Sequence, residues 1–146
     1  MLQRLIYFSE RDRSCVDVKD LVSRSAELNR RRNITGLLVA DDRCFVQMLE
    51  GHRNSVSSLF QTISRDTRHR NIVLVEVSEI EEYAAPDWGM HRLDDAGQIQ
   101  SAWGRISDKD RTFDPWSMDA EEIKDFLAIV QYDLTMAREK LALSAR

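Results

Sequence analysis

Three polar residues stand where the surrounding pattern asks for apolar ones, and they mark where this chain could do chemistry. Gln47 alternates with Phe45 and Leu49 on one face of a strand-like run. Ser25 and Asn29 fall on the apolar stripe that Val18, Leu21, Val22 and Leu28 draw at helical spacing. Each would face a core, where an amide without partners costs about 1–3 kcal/mol. They must therefore pair with one another, with backbone, or with a polar ligand lying between helices and sheet. Gly36 removes a side chain where another backbone or a flat ring could come close. Tyr7 adds a phenol, protonated at rest with a pKa near ~10 and strongly acidic once oxidised.

Taken singly, each of these has an ordinary structural explanation. Gln47 can satisfy sheet-edge backbone, Asn29 can close a helix, and Tyr7 can be a core aromatic with its hydroxyl bonded. Trp88 can cover a sheet end and Met90 can fill a gap. His69, in Asp66-Thr67-Arg68-His69 at the end of a helical stretch, can simply complement the macrodipole. No His-Glu-x-x-His, nucleophile-elbow, phosphate-loop or paired-Cys pattern occurs, and His52, His69 and His91 lack ligand spacing.

The elements that must position these residues follow from periodicity. Residues 1–9 read as a strand, and residues 17–32 as an amphipathic helix with Ser14 and Asp17 as a capping pair. Residues 34–40 and 44–50 flank Asp41-Asp42-Arg43 and read as a hairpin. Val56, Leu59, Phe60 and Ile63 repeat at helical spacing, giving a second helix that ends near residues 66–70. Residues 71–80, rich in Val and Ile, are a fourth strand, and residues 88–93 supply a fifth. The order βαββαβ followed by β is an α+β, ferredoxin-like pattern: one sheet with two helices on one face. Residues 97–106 read as a weak helix or loop. Residues 117–143 read as a strong helix with a stripe of Ile123, Phe126, Leu127, Val130, Leu134, Ala137 and Leu141. The expected division is a folded domain over residues 1–93 and a helical extension over residues 94–146.

With 146 residues, 42% hydrophobic and 32% charged, the chain suits one ordinary folded domain plus an extension, and is too apolar for disorder. Its longest apolar runs are about five residues, against the ~20 needed to span a bilayer. Cys15 and Cys44 lack scaffold spacing, so free thiols in the cytoplasm are expected. Net charge is −4, and before Asp94 the 14 basic residues are balanced by 14 acidic ones, 13 of the basic ones being Arg. That balance argues against broad nucleic-acid or membrane binding.

Five segments in order resemble the BLUF family of flavin-using blue-light sensors. They are Leu5-Ile6-Tyr7-Phe8-Ser9; Asn29 to Asn33 with Ile34-Thr35-Gly36-Leu37-Leu38; Phe45-Val46-Gln47-Met48-Leu49-Glu50-Gly51; Asp66-Thr67-Arg68-His69; and Trp88-Gly89-Met90. The resemblance implies FMN or FAD between the two helices and the sheet, with Leu21, Phe45 and Ile63 as apolar walls. It implies that Asn29 holds the ring's carbonyl edge with help from Ser25, and that Asp66, Arg68 and His69 lie near the ribityl and phosphate end, with Arg65 a weaker phosphate contact. It further implies that light draws an electron from Tyr7 and a proton through Gln47, whose carboxamide then rotates or tautomerises. Trp88 and Met90 would relay the change. Leu28 departs from the pattern, since several relatives carry a polar residue there. The extension after residue 93 is too short for a catalytic output domain, so no enzyme activity is expected. The expected output is a downstream protein or a change in self-association of a homo-oligomer. The 117–143 helix would then pack on the far sheet face or on another subunit. Two other readings are a small acyl-phosphate hydrolase recruiting Arg11, Arg13 and Asn29, and an RNA-binding sheet with exposed stacking aromatics.

Overall fold

The computed structural model describes residues 1–14, 17–84, 89–107 and 111–145. The chain divides into two compact units, Met1–Asp95 and Ala96–Arg146.

In the first unit, strand β1 (Leu2–Arg11) is followed by helix α1 (Val18–Arg31), strands β2 (Thr35–Ala40) and β3 (Cys44–His52), helix α2 (Arg53–Ser64), and strands β4 (His69–Ile80) and β5 (His91–Leu93). The sheet order is β4-β1-β3-β2-β5, antiparallel throughout except that β5 runs parallel to β2. This is the ferredoxin-like arrangement with one added edge strand. Asp41 makes the β2–β3 turn: its carboxylate accepts from the backbone N–H groups of Arg43 and Cys44 at 2.8 and 2.7 Å.

Strand alternation sets the two faces. Leu5, Tyr7 and Ser9 of β1 lie opposite Leu49, Gln47 and Phe45 of β3, while Gly36, Leu38 and Ala40 of β2 complete the same rows. Against this face α1 packs Val18, Val22 and Ala26, and α2 packs Val56, all in one buried apolar cluster. A fully buried residue of the Val or Leu type contributes roughly 1.5–3 kcal/mol, so this shared cluster is what holds both helices over the sheet. The alternate residues Ile6, Phe8, Leu37, Val39, Val46 and Met48 are buried as well. β4 slips by one residue beside Tyr7: Ile6 pairs with Glu76 but Tyr7 with Leu74. The bulge leaves Val75 between them.

Several local expectations need correcting. Asp17 alone caps α1, its carboxylate accepting from Asp20 N–H at 2.8 Å, whereas Ser14 bonds to Asp12. An aspartate three residues away from its target reaches the helix start; Ser14 sits too far upstream and closes its own turn instead. α1 ends at Arg31, and two residues on, the chain turns away at Asn33, whose φ of 55° is the left-handed conformation that Asn tolerates. α2 stops at Ser64, short of residues 66–70, because Asp66 folds its side chain onto the Arg68 N–H in a turn. The fifth strand is only His91–Leu93, so Met90 precedes it rather than lying on it. Trp88 and Cys15 lie outside the described residues; Cys44 is a buried free cysteine.

The second unit holds helix α3 (Ala96–Gly104), a 3-10 turn at Pro115–Ser117, and helix α4 (Ala120–Ser144). α3 is a defined helix where the sequence reads as helix or loop. Asp119 and Glu122 form a reciprocal capping box, which starts α4 after Ser117. Phe113 lies between Trp103 and Phe126, edge-on to the first at 6.5 Å between centroids and tilted against the second at 4.6 Å. Of the expected α4 stripe, Ile123, Phe126, Leu127 and Val130 are buried, but Leu141 is 70% exposed.

Candidate functional site

β1, β2 and β3 put Tyr7, Leu38 and Gln47 side by side in one row, facing the two helices. There they floor a cavity of about 310 Å³. Leu21 and Ser25 from α1, Phe45 from β3 and Ile63 from α2 line its sides, and Asn29 closes one end. Asp66, Arg68 and His69 line the other, with Met90 over Gln47. Arg65, the residue that closes α2, does not line the cavity.

A directed chain of hydrogen bonds crosses the floor. The Tyr7 hydroxyl donates to Oε1 of Gln47, and Gln47 Nε2 donates to the Met90 thioether at 3.5 Å. All three residues are buried. Burial pushes the Tyr7 phenol far above its ordinary pKa, and the Asp66 carboxylate adds to the effect. Tyr7 is therefore a donor with its proton firmly held. A thioether is a weak acceptor, so the Gln47 N–H is under-used and would be better satisfied by an oxygen or ring nitrogen.

Asn29 lies in the last turn of α1, where its carbonyl closes the helix by accepting from the Arg32 and Ile34 N–H groups at 3.0 and 2.9 Å, while its side chain reaches elsewhere. It is 1% exposed and its Nδ2 donates to the Gly89 carbonyl at 2.9 Å, bringing the segment before β5 onto α1. Gly36 makes room for Met90: a Cβ at residue 36 would lie 2.9 Å from both Sδ and Cε. Gly89 is tighter still, its Cβ falling 2.5 Å from the Ala26 carbonyl oxygen.

At the opposite end His69 is clamped by both ring nitrogens, Nδ1 to Ser9 Oγ at 2.7 Å and Nε2 to the Ile63 carbonyl at 2.6 Å. A carbonyl only accepts, so Nε2 carries hydrogen, and in the neutral ring Nδ1 accepts from Ser9. His69 thus ties β1 to the end of α2 rather than presenting a nitrogen to the cavity. Arg68 grips both Asp66 oxygens, with Nε at 2.9 and 3.0 Å, and holds that carboxyl below the usual carboxylate range.

Sequence reasoning missed Val22, Arg24, Arg32, Leu38, Leu59 and Thr62 as lining residues. Arg24 and Arg32 were legible in principle: with Leu21, Ser25 and Leu28 they continue the flank of the α1 stripe at 3- and 4-residue steps. Leu28, half exposed, also lines the cavity. Thr62 carried no signal.

The two competing readings find little here. Arg11 donates to the Asp41 carbonyl at 2.8 Å and lies over Phe45, while Asn29 is bonded to Gly89, so they form no common anion cradle. Tyr7, Phe8 and Phe45 are buried and offer no stacking platform to a nucleobase. Among the described residues there is no cluster suited to a metal ion and no helix long and apolar enough to cross a membrane.

Comparison with known proteins identifies the family and the fold. Residues 2–91 match the model of the family described as BLUF, sensors of blue-light using FAD. Photoactivated adenylate cyclase subunit beta of Euglena longa is 33% identical over 90 residues, covering 60% of this chain and 10% of that protein. The blue light- and temperature-regulated antirepressor BluF of Escherichia coli (strain K12) is 35% identical over 75 residues, 50% of this chain and 19% of that protein. The chain thus spans only a small part of these curated relatives. The photo-activated state of BlsA superposes with a TM-score of 0.77 at 29% identity, covering 88% of this chain and 93% of that one. A buried tyrosine–glutamine pair facing a ligand-sized cavity on a ferredoxin-like sheet and a family match across most of the first unit lead to one assignment: the chain belongs to the BLUF family of flavin-binding blue-light sensors.

Proposed function

We propose that this chain is a blue-light photoreceptor that holds FAD, the cofactor in the family description, or FMN in the cavity between α1, α2 and the sheet. Its light response rests on Tyr7 and Gln47. The observation that carries the reading is the buried Tyr7–Gln47–Met90 hydrogen-bond chain along the cavity floor.

The residues suit such a ligand. The volume of about 310 Å³ is at the lower end of small-molecule sites, ~300–1,000 Å³. Leu21, Phe45 and Ile63 offer apolar walls to a flat ring, Gln47 and Asn29 offer amides to its polar edge, and Arg24, Arg32 and Arg68 supply cationic groups for a phosphate. A bound flavin supplies blue-light absorption and an acceptor for one electron. Tyr7 is the donor: losing an electron makes its phenol strongly acidic, and its proton already points at Gln47 Oε1. Gln47 takes this proton while passing one on toward the ligand; when electron and proton return to Tyr7, what persists is Gln47 with the other end of its carboxamide facing the ligand, since one end accepts and the other donates. Its N–H gives up only a weak contact to Met90 in doing so, which keeps the change inexpensive. Asn29, Ser25 and the apolar walls orient the ring and exclude water.

Output passes to another protein or to a second copy of the chain. The relatives named above include a cyclase subunit and an antirepressor, so one sensor module serves several outputs. The test is the absorption spectrum of the purified full chain supplied with FAD or FMN. A flavin spectrum that moves reversibly to longer wavelength under blue light supports the function. Tyr7→Phe and Gln47→Leu are each expected to retain flavin and lose the reversible shift. A normal photocycle in either variant removes that residue from the mechanism.

A further inference from the structure

Among its described residues, the connection from β4 to β5 meets the candidate site at Met90, with Gly89 bonded to Asn29, and it is gripped at its far end as well. Glu50 is fully buried on β3, on the sheet face opposite Gln47. Its Oε2 accepts from Arg4 Nε at 2.9 Å and Nη2 at 2.7 Å, and its Oε1 accepts from the Ala84 backbone N–H at 2.9 Å. One residue earlier the Tyr83 hydroxyl donates to the Asn33 carbonyl at 2.7 Å, just past the end of α1. The α1 end and β3 therefore hold this connection twice: through Asn33 and Glu50 at residues 83 and 84, and through Asn29 and Gln47 at residues 89 and 90.

A buried carboxylate is a costly way to gain stability, since an apolar side chain of similar size often does as well or better. What it provides is direction. Charge-assisted bonds fix one oxygen on Arg4 and aim the other at a single backbone N–H.

We propose that Glu50, seconded by Tyr83, is a positioning residue for the Gly89–Met90 segment: it fixes where the Met90 thioether meets Gln47, and so sets how long the light-driven arrangement of Gln47 persists in darkness. The timing part rests on the photoreceptor reading above. Burial raises the Tyr83 phenol and the Glu50 charge raises it further, so Tyr83 remains a donor well into alkaline solution. With the outer grip loosened, Met90 leaves Gln47 more readily and the carboxamide meets a lower barrier on its return. Light capture is untouched, because neither Glu50 nor Tyr83 lines the cavity.

The experiment uses the full chain with methyl-labelled methionine, without flavin and then loaded with FAD, comparing Tyr83→Phe, Glu50→Gln and each combined with Met90→Ala. The Met90 methyl resonance, assigned by its absence from Met90→Ala, is expected to move in both single variants even without flavin. Dark recovery is expected to quicken about threefold to tenfold, the effect of one weakened hydrogen bond on a barrier, with the amplitude of the light-induced shift preserved. That acceleration should vanish in the Met90→Ala background. An unmoved resonance with wild-type recovery overturns the proposal, as does equal acceleration when Met90 is absent. Should Glu50→Gln fail to fold, the half-exposed Tyr83 decides alone. A wild-type chain with no light response refutes the photoreceptor reading, and the resonance still decides the clamp: moved supports it, unmoved overturns it.

Discussion

Tyr7 keeps its proton because of what surrounds it: the phenol is out of water and close enough to Asp66 to feel that carboxylate. An oxyanion there would be disfavoured twice over. The consequence for stability has a definite sign. Unfolded, Tyr7 loses its proton near pH ~10, whereas folded it holds on beyond that, so above this pH the unfolded chain binds fewer protons and folding weakens. Relative to Tyr7→Phe, the wild-type chain should lose up to ~1.4 kcal/mol per pH unit above pH ~10, and nothing below pH ~9. Urea unfolding at stepped pH checks this, and parallel curves for the two proteins would contradict it. At neutral pH the variant should itself be less stable by about 1–3 kcal/mol, because Gln47 Oε1 is left buried without its donor. At this scale the sequence was informative where a polar residue interrupted an apolar pattern, as at Gln47, Ser25 and Asn29. It was uninformative where the contact comes from a distant segment: nothing near Asn29 announces the Gly89 carbonyl, and nothing near His69 announces Ser9, since both pairings are made by sheet order and loop path.

Whole elements were readable when a period ran long enough to be seen. α1, α2 and the β2–β3 hairpin are each amphipathic or alternating over at least six residues, and they fall within a few positions of where periodicity sets them. β5 has three residues and gains its place from parallel pairing to β2, a long-range fact no short window contains. The bulge beside Tyr7 is equally silent in sequence. Two glycines show how elements constrain one another. A methyl group at residue 36 meets the flexible end of Met90, so Gly36→Ala should fold with a cost below ~1.5 kcal/mol and push the thioether off Gln47. At residue 89 it meets the α1 backbone at Ala26, which cannot yield cheaply; Gly89→Ala should cost about 1–3 kcal/mol and break the Asn29–Gly89 bond. Chemical denaturation of the pair gives the ranking, and a Gly36→Ala variant less stable than Gly89→Ala would show that the segment before β5 moves more freely than Met90.

Every residue assigned a part in the light response belongs to the first unit, Met1–Asp95, while α4 in the second carries apolar groups that nothing within its own helix accounts for. Tyr132, Met136, Leu141 and Leu143 are 47–70% exposed, although the same helix buries Ile123, Phe126, Leu127 and Val130. Singly exposed apolar residues are ordinary, but at ~100° per residue Tyr132, Met136 and Leu143 fall on one face of the helix, the kind of surface a protein partner or a second copy covers, while Leu141 falls on the other side with the stripe. The stripe was legible as a stripe; its burial in the first half and exposure in the second was not, because sequence gives the face of a helix and not how far its neighbour extends. If sensing and output are divided this way, Met136→Ser combined with Leu143→Ser should leave the spectral shift and its dark recovery as in the wild type. Unfolding stability should move by no more than about ±0.5 kcal/mol, the usual range for exposed positions. What should fall is association: light scattering in darkness and under blue light should show a smaller light-dependent mass change in the double variant than in the wild type. A double variant whose recovery rate changes while its mass response does not would place those two residues on the sensing side, and the output surface would have to be sought elsewhere on the molecule.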